Sequence, residues 1–163
     1  MLRVHAQETA EPSAPWSLAG EWRVSGNVAS MAALAGGGRV ALGGDGADVA
    51  LYDGATGALL VKAKPPAKDW LGMYRKIYVA SLSFLGSGSA PECVLAGGEA
   101  ELRLFDFRAQ RRAVRCMPLG EGAVGALAVS ADGSCAAGGT TRGQLAYFDL
   151  GTGKLLGAFK ARA

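Results

Sequence analysis

The feature that most constrains this chain is a short pattern that recurs three times along it. Each copy begins with a pair of small residues, continues into an apolar segment that ends in an aromatic residue and an aspartate, and then turns into a further apolar segment. The aromatic–aspartate pairs are Tyr52-Asp53, Phe105-Asp106 and Phe148-Asp149. A spacing of roughly 40 to 50 residues with four short strands per copy is typical of a β-propeller blade.

We therefore predict an all-β fold with about three four-stranded blades in an open arc, because closed propellers need about four to eight blades. The predicted repeats span about 28–64, 77–116 and 124–159, within a partial propeller over 17–163. Residues 1–16 are largely polar and contain prolines, which predicts a disordered N-terminal tail. Trp22-Arg23-Val24 is expected to be the last strand of a preceding unit.

An insertion over 65–76 separates the first two repeats. Pro65-Pro66 cannot extend a paired strand, and the segment is longer than a blade linker requires. Long loops on a rigid scaffold are frequent sites of function. Trp70 and Tyr74 in this loop are expected either to fold back on the propeller as a staple or to contact a partner.

The residue types that catalysis needs are not arranged for it in this sequence. His5 is the only histidine, and Cys93, Cys116 and Cys135 lack the spacing of a zinc site. The Gly151–Lys154 turn lacks the first glycine and the final Ser or Thr of a phosphate-binding loop. We predict no enzyme activity, no cofactor, no metal and no small-molecule substrate. Reduced thiols fit a cytosolic or nuclear compartment.

A membrane contact is not expected, because no apolar run approaches the roughly 20 residues of a membrane span.

A quinoprotein-like propeller enzyme is a remote alternative. Asp53–Gly57 and Asp149–Gly153 fit the Asp-x-x-Thr-Gly turn of such propellers. Val61 and Gly157 stand where those proteins have the tryptophan that docks between blades, which disfavours this alternative.

Positive charge is concentrated in the second part of the chain. Residues 1–60 hold three Lys or Arg against six Asp or Glu, whereas 61–163 hold fourteen against eight. Cations on a propeller rim can meet phosphates or acidic segments. Arg111–Arg115 is predicted to be an outer strand, with Arg112 on the opposite face from Arg111 and Arg115. The candidate partner or RNA contacts are Lys62, Lys64, Lys68, Asp69, Trp70, Arg75, Lys76, Arg108, Arg111, Arg112 and Arg115.

More specific motifs cover the chain from about residue 59 to residue 160. They include Lys62-Ala63-Lys64, Asp69-Trp70-Leu71, Ile77-Tyr78, Leu102–Asp106, Gln110–Val114 and Gly143–Ala146. With these motifs the sequence resembles the nucleolar WD-repeat family of large-ribosomal-subunit assembly factors, which has a pre-ribosome factor in yeast and an animal counterpart. The resemblance implies a WD-repeat β-propeller fragment, since the family's propeller has seven blades.

The same resemblance implies a non-catalytic scaffold in ribosome biogenesis, acting in rRNA processing and large-subunit assembly on nucleolar pre-ribosomes. The implied partners are ribosomal RNA, neighbouring assembly factors and an AAA-type ATPase that later removes the factor. The implied location is the nucleus and its nucleolus. A WD-repeat adaptor for another protein complex is the alternative, and it would not sediment with large pre-ribosomal particles.

Overall fold

The computed structural model describes residues 2–7, 16–24, 26–34, 36, 38–67, 70–73, 76–85 and 92–160. Within these ranges the regular elements are β-strands, and no helix suited to crossing a membrane is found there. The strands are β1 (Leu2–Gln7), β2 (Trp16–Trp22), β3 (Asn27–Ala33), β4 (Arg39–Asp45), β5 (Ala50–Asp53), β6 (Leu59–Lys62), β7 (Ser81–Phe84), β8 (Cys93–Gly97), β9 (Glu99–Asp106), β10 (Arg115–Val129), β11 (Cys135–Thr140), β12 (Gln144–Asp149) and β13 (Leu155–Lys160).

The described strands form three antiparallel sheets in which neighbours in sequence are neighbours in space. β1 and β2 make a hairpin, β3 to β6 make a four-stranded sheet, and β7 to β13 make a seven-stranded sheet. The four-stranded sheet is the first predicted blade. This architecture confirms the predicted all-β fold of a propeller fragment.

The strand β10 belongs to both the second and the third blade. Its first part, Arg115–Pro118, pairs with β9, and its last part, Val124–Val129, pairs with β11. Between them the pairing register shifts, and Gly120 and Gly122 adopt positive φ angles of 115° and 87°. These glycines let the strand bend. The chain therefore passes from the second blade to the third without a separate linker, and each blade keeps four strands.

Side chains of the second blade alternate between two buried faces. Along β8, Val94 and Ala96 belong to the apolar cluster shared with the first blade, whereas Leu95 belongs to the cluster shared with the third. Along β9, Phe105 faces the first blade and Leu102 faces the third. The period of two along a strand thus buries both faces between neighbouring blades.

The corresponding face of the third blade is exposed. Aligning the aromatic–aspartate pairs places Leu145 and Tyr147 where Leu102 and Leu104 stand in the second blade. Leu102 and Leu104 are 0% and 8% exposed, whereas Leu145 and Tyr147 are 46% and 41% exposed. The third blade therefore presents to solvent an apolar face of the kind that the first two blades bury.

The aspartate of each pair closes the turn that follows the third strand of a blade. Asp53 Oδ1 accepts hydrogen bonds from the amides of Ala55 and Thr56 and from the Thr56 hydroxyl, at 2.9–3.1 Å. Asp149 Oδ1 accepts hydrogen bonds from the corresponding amides, those of Gly151 and Thr152, at 2.8 and 3.1 Å. Asp106 accepts from the amide of Arg108 at 3.1 Å. The Asp-x-x-Thr-Gly segments are thus explained as turns, because their polar groups bond to their own backbone.

These turn bonds predict a pH-dependent stability. The Thr56 amide holds the pKa of Asp53 below its ordinary value of 3.8, and the Thr152 amide does the same for the pKa of Asp149. A carboxyl whose pKa is lowered by folding stabilises the fold above its unfolded pKa, and that contribution is lost as the pH falls through the folded pKa. We expect Asp53→Asn to reduce the loss of unfolding free energy between about pH 5 and pH 3, measured by urea denaturation.

The control for this measurement is Glu121→Gln, which removes an exposed carboxylate outside these turns. It is expected to leave the pH dependence close to that of the unmodified chain. An Asp53→Asn variant whose stability falls with pH as steeply as that of the Glu121→Gln control would contradict the prediction.

The N-terminal hairpin differs from the predicted disordered tail over 1–16. Leu2–Gln7 pairs with Trp16–Trp22 in antiparallel register, so the first part of that tail is a strand. The sequence carries the reason, since Leu2, Val4 and Ala6 alternate with polar residues in the period of a strand. β2 ends at Trp22, at the place where a strand of a preceding unit was expected.

The indole of Trp22 lies against the turn of the first blade at Gly57. A Cβ added at Gly57 would come within 2.0 Å of the indole Cδ1 atom. In the third blade the equivalent Gly153 is contacted by Arg115, whose Nη1 would lie 3.4 Å from an added Cβ. Each of these turns is thus covered by a side chain at the end or the start of a preceding strand.

This contact predicts that Gly57→Ala is more destabilising than a matched substitution. Gly57 and Gly46 have similar positive φ angles of 68° and 70°, but no atom lies within 4 Å of a Cβ added at Gly46. We expect Gly46→Ala to lower the free energy of unfolding by about 1 kcal/mol, from backbone strain alone. Gly57→Ala must also displace Trp22 and is expected to cost roughly 2–4 kcal/mol in urea denaturation. Equal losses in the two variants would show that the Trp22 contact is not needed.

Candidate partner-binding surface between the first two blades

Two buried charges join the first two blades. Arg103 on β9 places Nη1 3.1 and 3.2 Å from the two carboxylate oxygens of Asp48, which precedes β5. The two side chains are 7% and 4% exposed. Asp48 also accepts a hydrogen bond from the amide of Val49 at 2.9 Å, and the guanidinium carbon of Arg103 lies 5.5 Å from the centre of the Phe105 ring. The geometry satisfies both charges, as burial requires.

The sequence alone does not single out Asp48 or Arg103. Alternation along β9 puts Arg103 on the opposite face from Leu102 and Leu104, and a strand exposed on one face would leave Arg103 in solvent. The second blade is stacked between two others, so both of its faces are buried and Arg103 meets the first blade. A cation within the apolar third strand of a repeat is the signal that would have pointed to an ion pair between blades.

Removing one member of this pair is expected to be costly. Arg103→Met leaves the Asp48 carboxylate buried without its partner, which typically lowers the free energy of unfolding by about 3–5 kcal/mol. The double variant Asp48→Asn/Arg103→Met removes both charges and is expected to be more stable than Arg103→Met alone. Urea denaturation of the single and double variants measures the coupling. Losses that simply add would contradict a direct interaction.

A cavity of about 400 Å³ opens beside this ion pair. It is lined by Pro66, Lys76, Tyr78, Gly98, Glu99, Ala100, Glu101 and Arg103. Pro66 and Lys76 stand at the two ends of the inserted loop, so the loop begins and ends at the same cavity. The lining carries both positive and negative side chains. The cavity matters here because both ends of the inserted loop lie at it.

Arg111 and Arg112 connect the second blade to the segment that leaves the first. Arg111 Nε donates to the carbonyl of Lys62 at 2.8 Å, and the amide of Lys64 donates to the carbonyl of Arg111 at 2.8 Å. Arg112 Nε donates to the carbonyl of Pro65 at 3.2 Å. Both arginines are exposed. Because a carbonyl carries no net charge, these bonds orient the guanidinium groups without neutralising them.

The prediction that Arg111–Arg115 forms one outer strand was wrong. β10 begins only at Arg115, and Arg111 and Arg112 lie in a bend before it. The reason is a longer turn, in which the Gln110 side-chain amide donates to the carbonyl of Ala113 at 3.2 Å. As a result Arg111 and Arg112 reach the same neighbouring segment, instead of opposite faces of a strand.

Arg115 and Arg108 lie away from this segment. Arg115 Nη1 donates to the carbonyl of Thr152 at 2.9 Å, so it joins the second blade to the third. Arg108 forms two hydrogen bonds of 2.9 Å to the Asp106 carboxylate through Nε and Nη2. The Arg108 side chain is the largest cause of the lowered pKa of Asp106. The charge of Arg108 is therefore compensated within the turn.

Three lysines accompany Arg111 and Arg112 near the start and end of the inserted loop. Lys62 and Lys64 are exposed and form no ion pair with another described residue. Lys76 Nζ lies 3.3 Å from Asp45 Oδ1, with side chains 70% and 45% exposed. An exposed pair of this kind is weak and is screened by salt.

Trp70 is the most exposed large apolar side chain of the described residues, at 91%. The staple alternative is therefore wrong for Trp70, because a staple would bury the indole. Leu71 and Met73 beside it are also exposed, at 57% and 58%. The remaining predicted loop residues, Lys68, Asp69, Tyr74 and Arg75, lie outside the described residues. We call Lys62, Lys64, Trp70, Lys76, Arg111 and Arg112 the blade 1–2 surface.

Comparison with known proteins gives partial matches, and no family model matches the chain. Over 105 residues the chain is 32% identical to WD repeat-containing protein 74 of Bos taurus, a match that covers 64% of this chain and 27% of the relative. The Homo sapiens protein of the same name is 35% identical over 104 residues, covering 63% and 26%. These relatives are WD-repeat proteins. The predicted WD-repeat resemblance is confirmed for part of the chain, which spans about a quarter of the length of the curated relatives it matches.

Proposed function

We propose that this chain is a non-catalytic WD-repeat scaffold that acts in large-ribosomal-subunit assembly and rRNA processing. The observation that carries the proposal is the resemblance of residues from about 59 to 160 to nucleolar WD-repeat assembly factors, together with the matches to WD-repeat proteins. The blade 1–2 surface lies within this part of the chain. It supplies the cations that contact with ribosomal RNA requires.

The physical support comes from how the surface is held. Arg111 and Arg112 are bonded to backbone carbonyls of the neighbouring segment, and Lys62 and Lys64 are exposed to solvent. Fixed cations lose less conformational freedom when they meet phosphates than mobile ones do. Such contacts position a nucleic acid without reading its sequence. This suits a scaffold that recognises a folded particle.

The partners that follow from this proposal are ribosomal RNA and neighbouring assembly factors on the pre-ribosomal particle. An AAA-type ATPase that later removes the scaffold belongs to the same proposal, as does location in the nucleus and nucleolus. In sedimentation of cell extracts, the chain is expected in the fractions of large pre-ribosomal particles. Recovery only in light fractions would favour the adaptor for another protein complex.

The charge of the blade 1–2 surface predicts salt-dependent RNA binding. We expect Lys62→Gln/Lys64→Gln to weaken RNA binding, because fewer phosphates are then neutralised by the protein. For single-stranded RNA, the slope of log K against log salt should become less steep by about 0.7 for each phosphate that no longer meets a lysine. Fluorescence anisotropy with labelled RNA at several salt concentrations measures this slope.

The matched control is Lys154→Gln/Lys160→Gln, which removes the same charge from exposed positions of the third blade. It is expected to leave the slope nearer to that of the unmodified chain. Equal effects of the two double variants would mean that only net charge matters, and the blade 1–2 surface would then not be the RNA contact.

A further inference from the structure

We propose that the blade 1–2 surface binds single-stranded RNA, with a base stacked on Trp70 and the neighbouring phosphates on its lysines and arginines. This inference rests on the proposed function and names the form of RNA that the surface accepts.

The first support is the position of Trp70. Its indole is 91% exposed, on a loop whose ends both reach the cavity beside the Asp48–Arg103 pair. Four residues of extended chain span at most about 14 Å, so the Cα atom of Trp70 lies no farther than that from the Cα atom of Pro66 at the cavity. A surface loop whose ends lie close together is a frequent carrier of binding residues.

The second support is the placement of cations around the loop. Lys64 lies six residues before Trp70 and Lys76 lies six residues after it. Lys64 is joined through its amide to Arg111, and Arg112 is bonded to Pro65 at the start of the loop. An exposed aromatic ring with cations at both ends of its loop offers a stacking surface for a base and charges for the phosphates that flank it.

The same features favour a single strand over a duplex. In a duplex the bases are stacked on each other, so an indole has no free base face to cover. They also favour RNA over an acidic protein segment, because carboxylates would use the cations but leave the indole without a partner of matching shape. A protein partner is therefore an outcome that the test must be able to reveal.

The test measures binding of the full chain to a fluorescently labelled single-stranded oligouridine of about 12 nucleotides, a length within the usual range of such sites. Trp70→Ala is expected to weaken binding by about 5- to 150-fold, the range that alanine substitution of a stacking aromatic produces. Trp70→Phe is expected to recover most of the affinity. The slope of log K against log salt is expected to stay unchanged in Trp70→Ala, because stacking releases no counterions.

Phe159→Ala is the matched control, since Phe159 is 68% exposed on the third blade. It is expected to bind the oligonucleotide as the unmodified chain does. A duplex RNA of the same length is expected to bind more weakly and to be unaffected by Trp70→Ala. Unchanged oligouridine affinity in Trp70→Ala would overturn the proposal, as would an equal loss for the duplex.

Sedimentation separates this inference from the proposed function. If Trp70→Ala leaves RNA affinity unchanged but releases the chain from pre-ribosomal particles, Trp70 contacts a protein and the RNA site is overturned while the scaffold stands. If Trp70→Ala loses oligouridine affinity and the unmodified chain is absent from pre-ribosomal particles, the RNA site stands and the scaffold fails.

Discussion

A sheet with apolar side chains on both faces is stabilised when both of them are buried, and in this chain the second blade buries both of its faces against its two neighbours. Val94 and Phe105 face the first blade, while Leu95 and Leu102 face the third. Burial of apolar surface is the main favourable term in folding. Much else in the structure, including the placement of its charges, follows from this stacking of blades.

The stacking decides what charged residues can do. Arg103 lies on a face that meets another blade, so it pairs with Asp48 inside the protein. Arg111 and Arg112 lie at the edge of the same boundary, where they bond to backbone carbonyls and remain exposed. Position relative to the blade boundary thus separates an arginine buried in an ion pair from arginines that remain exposed to solvent.

The repeated turns were predictable because their chemistry is local. Asp53 and Asp149 accept hydrogen bonds from amides two and three residues ahead, so a five-residue pattern contains all the groups that form these bonds. The pairing of Arg103 with Asp48 spans 55 residues and has no local signature. The bend at Arg111 and Arg112 was not predicted. Apolar and charged residues do not alternate regularly in this segment, so the sequence does not show at which residue strand pairing begins.

The repeat, most of the strands and the Asp-x-x-Thr-Gly turns were predictable from the sequence, since they depend on alternation and on hydrogen bonds between near neighbours. Three features were visible only in the folded chain: β10 runs through two blades, Arg103 is buried and Trp70 is exposed. Those outcomes depend on which surfaces meet when blades stack. Contacts between blades join residues far apart in the chain, and no pattern within one blade encodes these contacts.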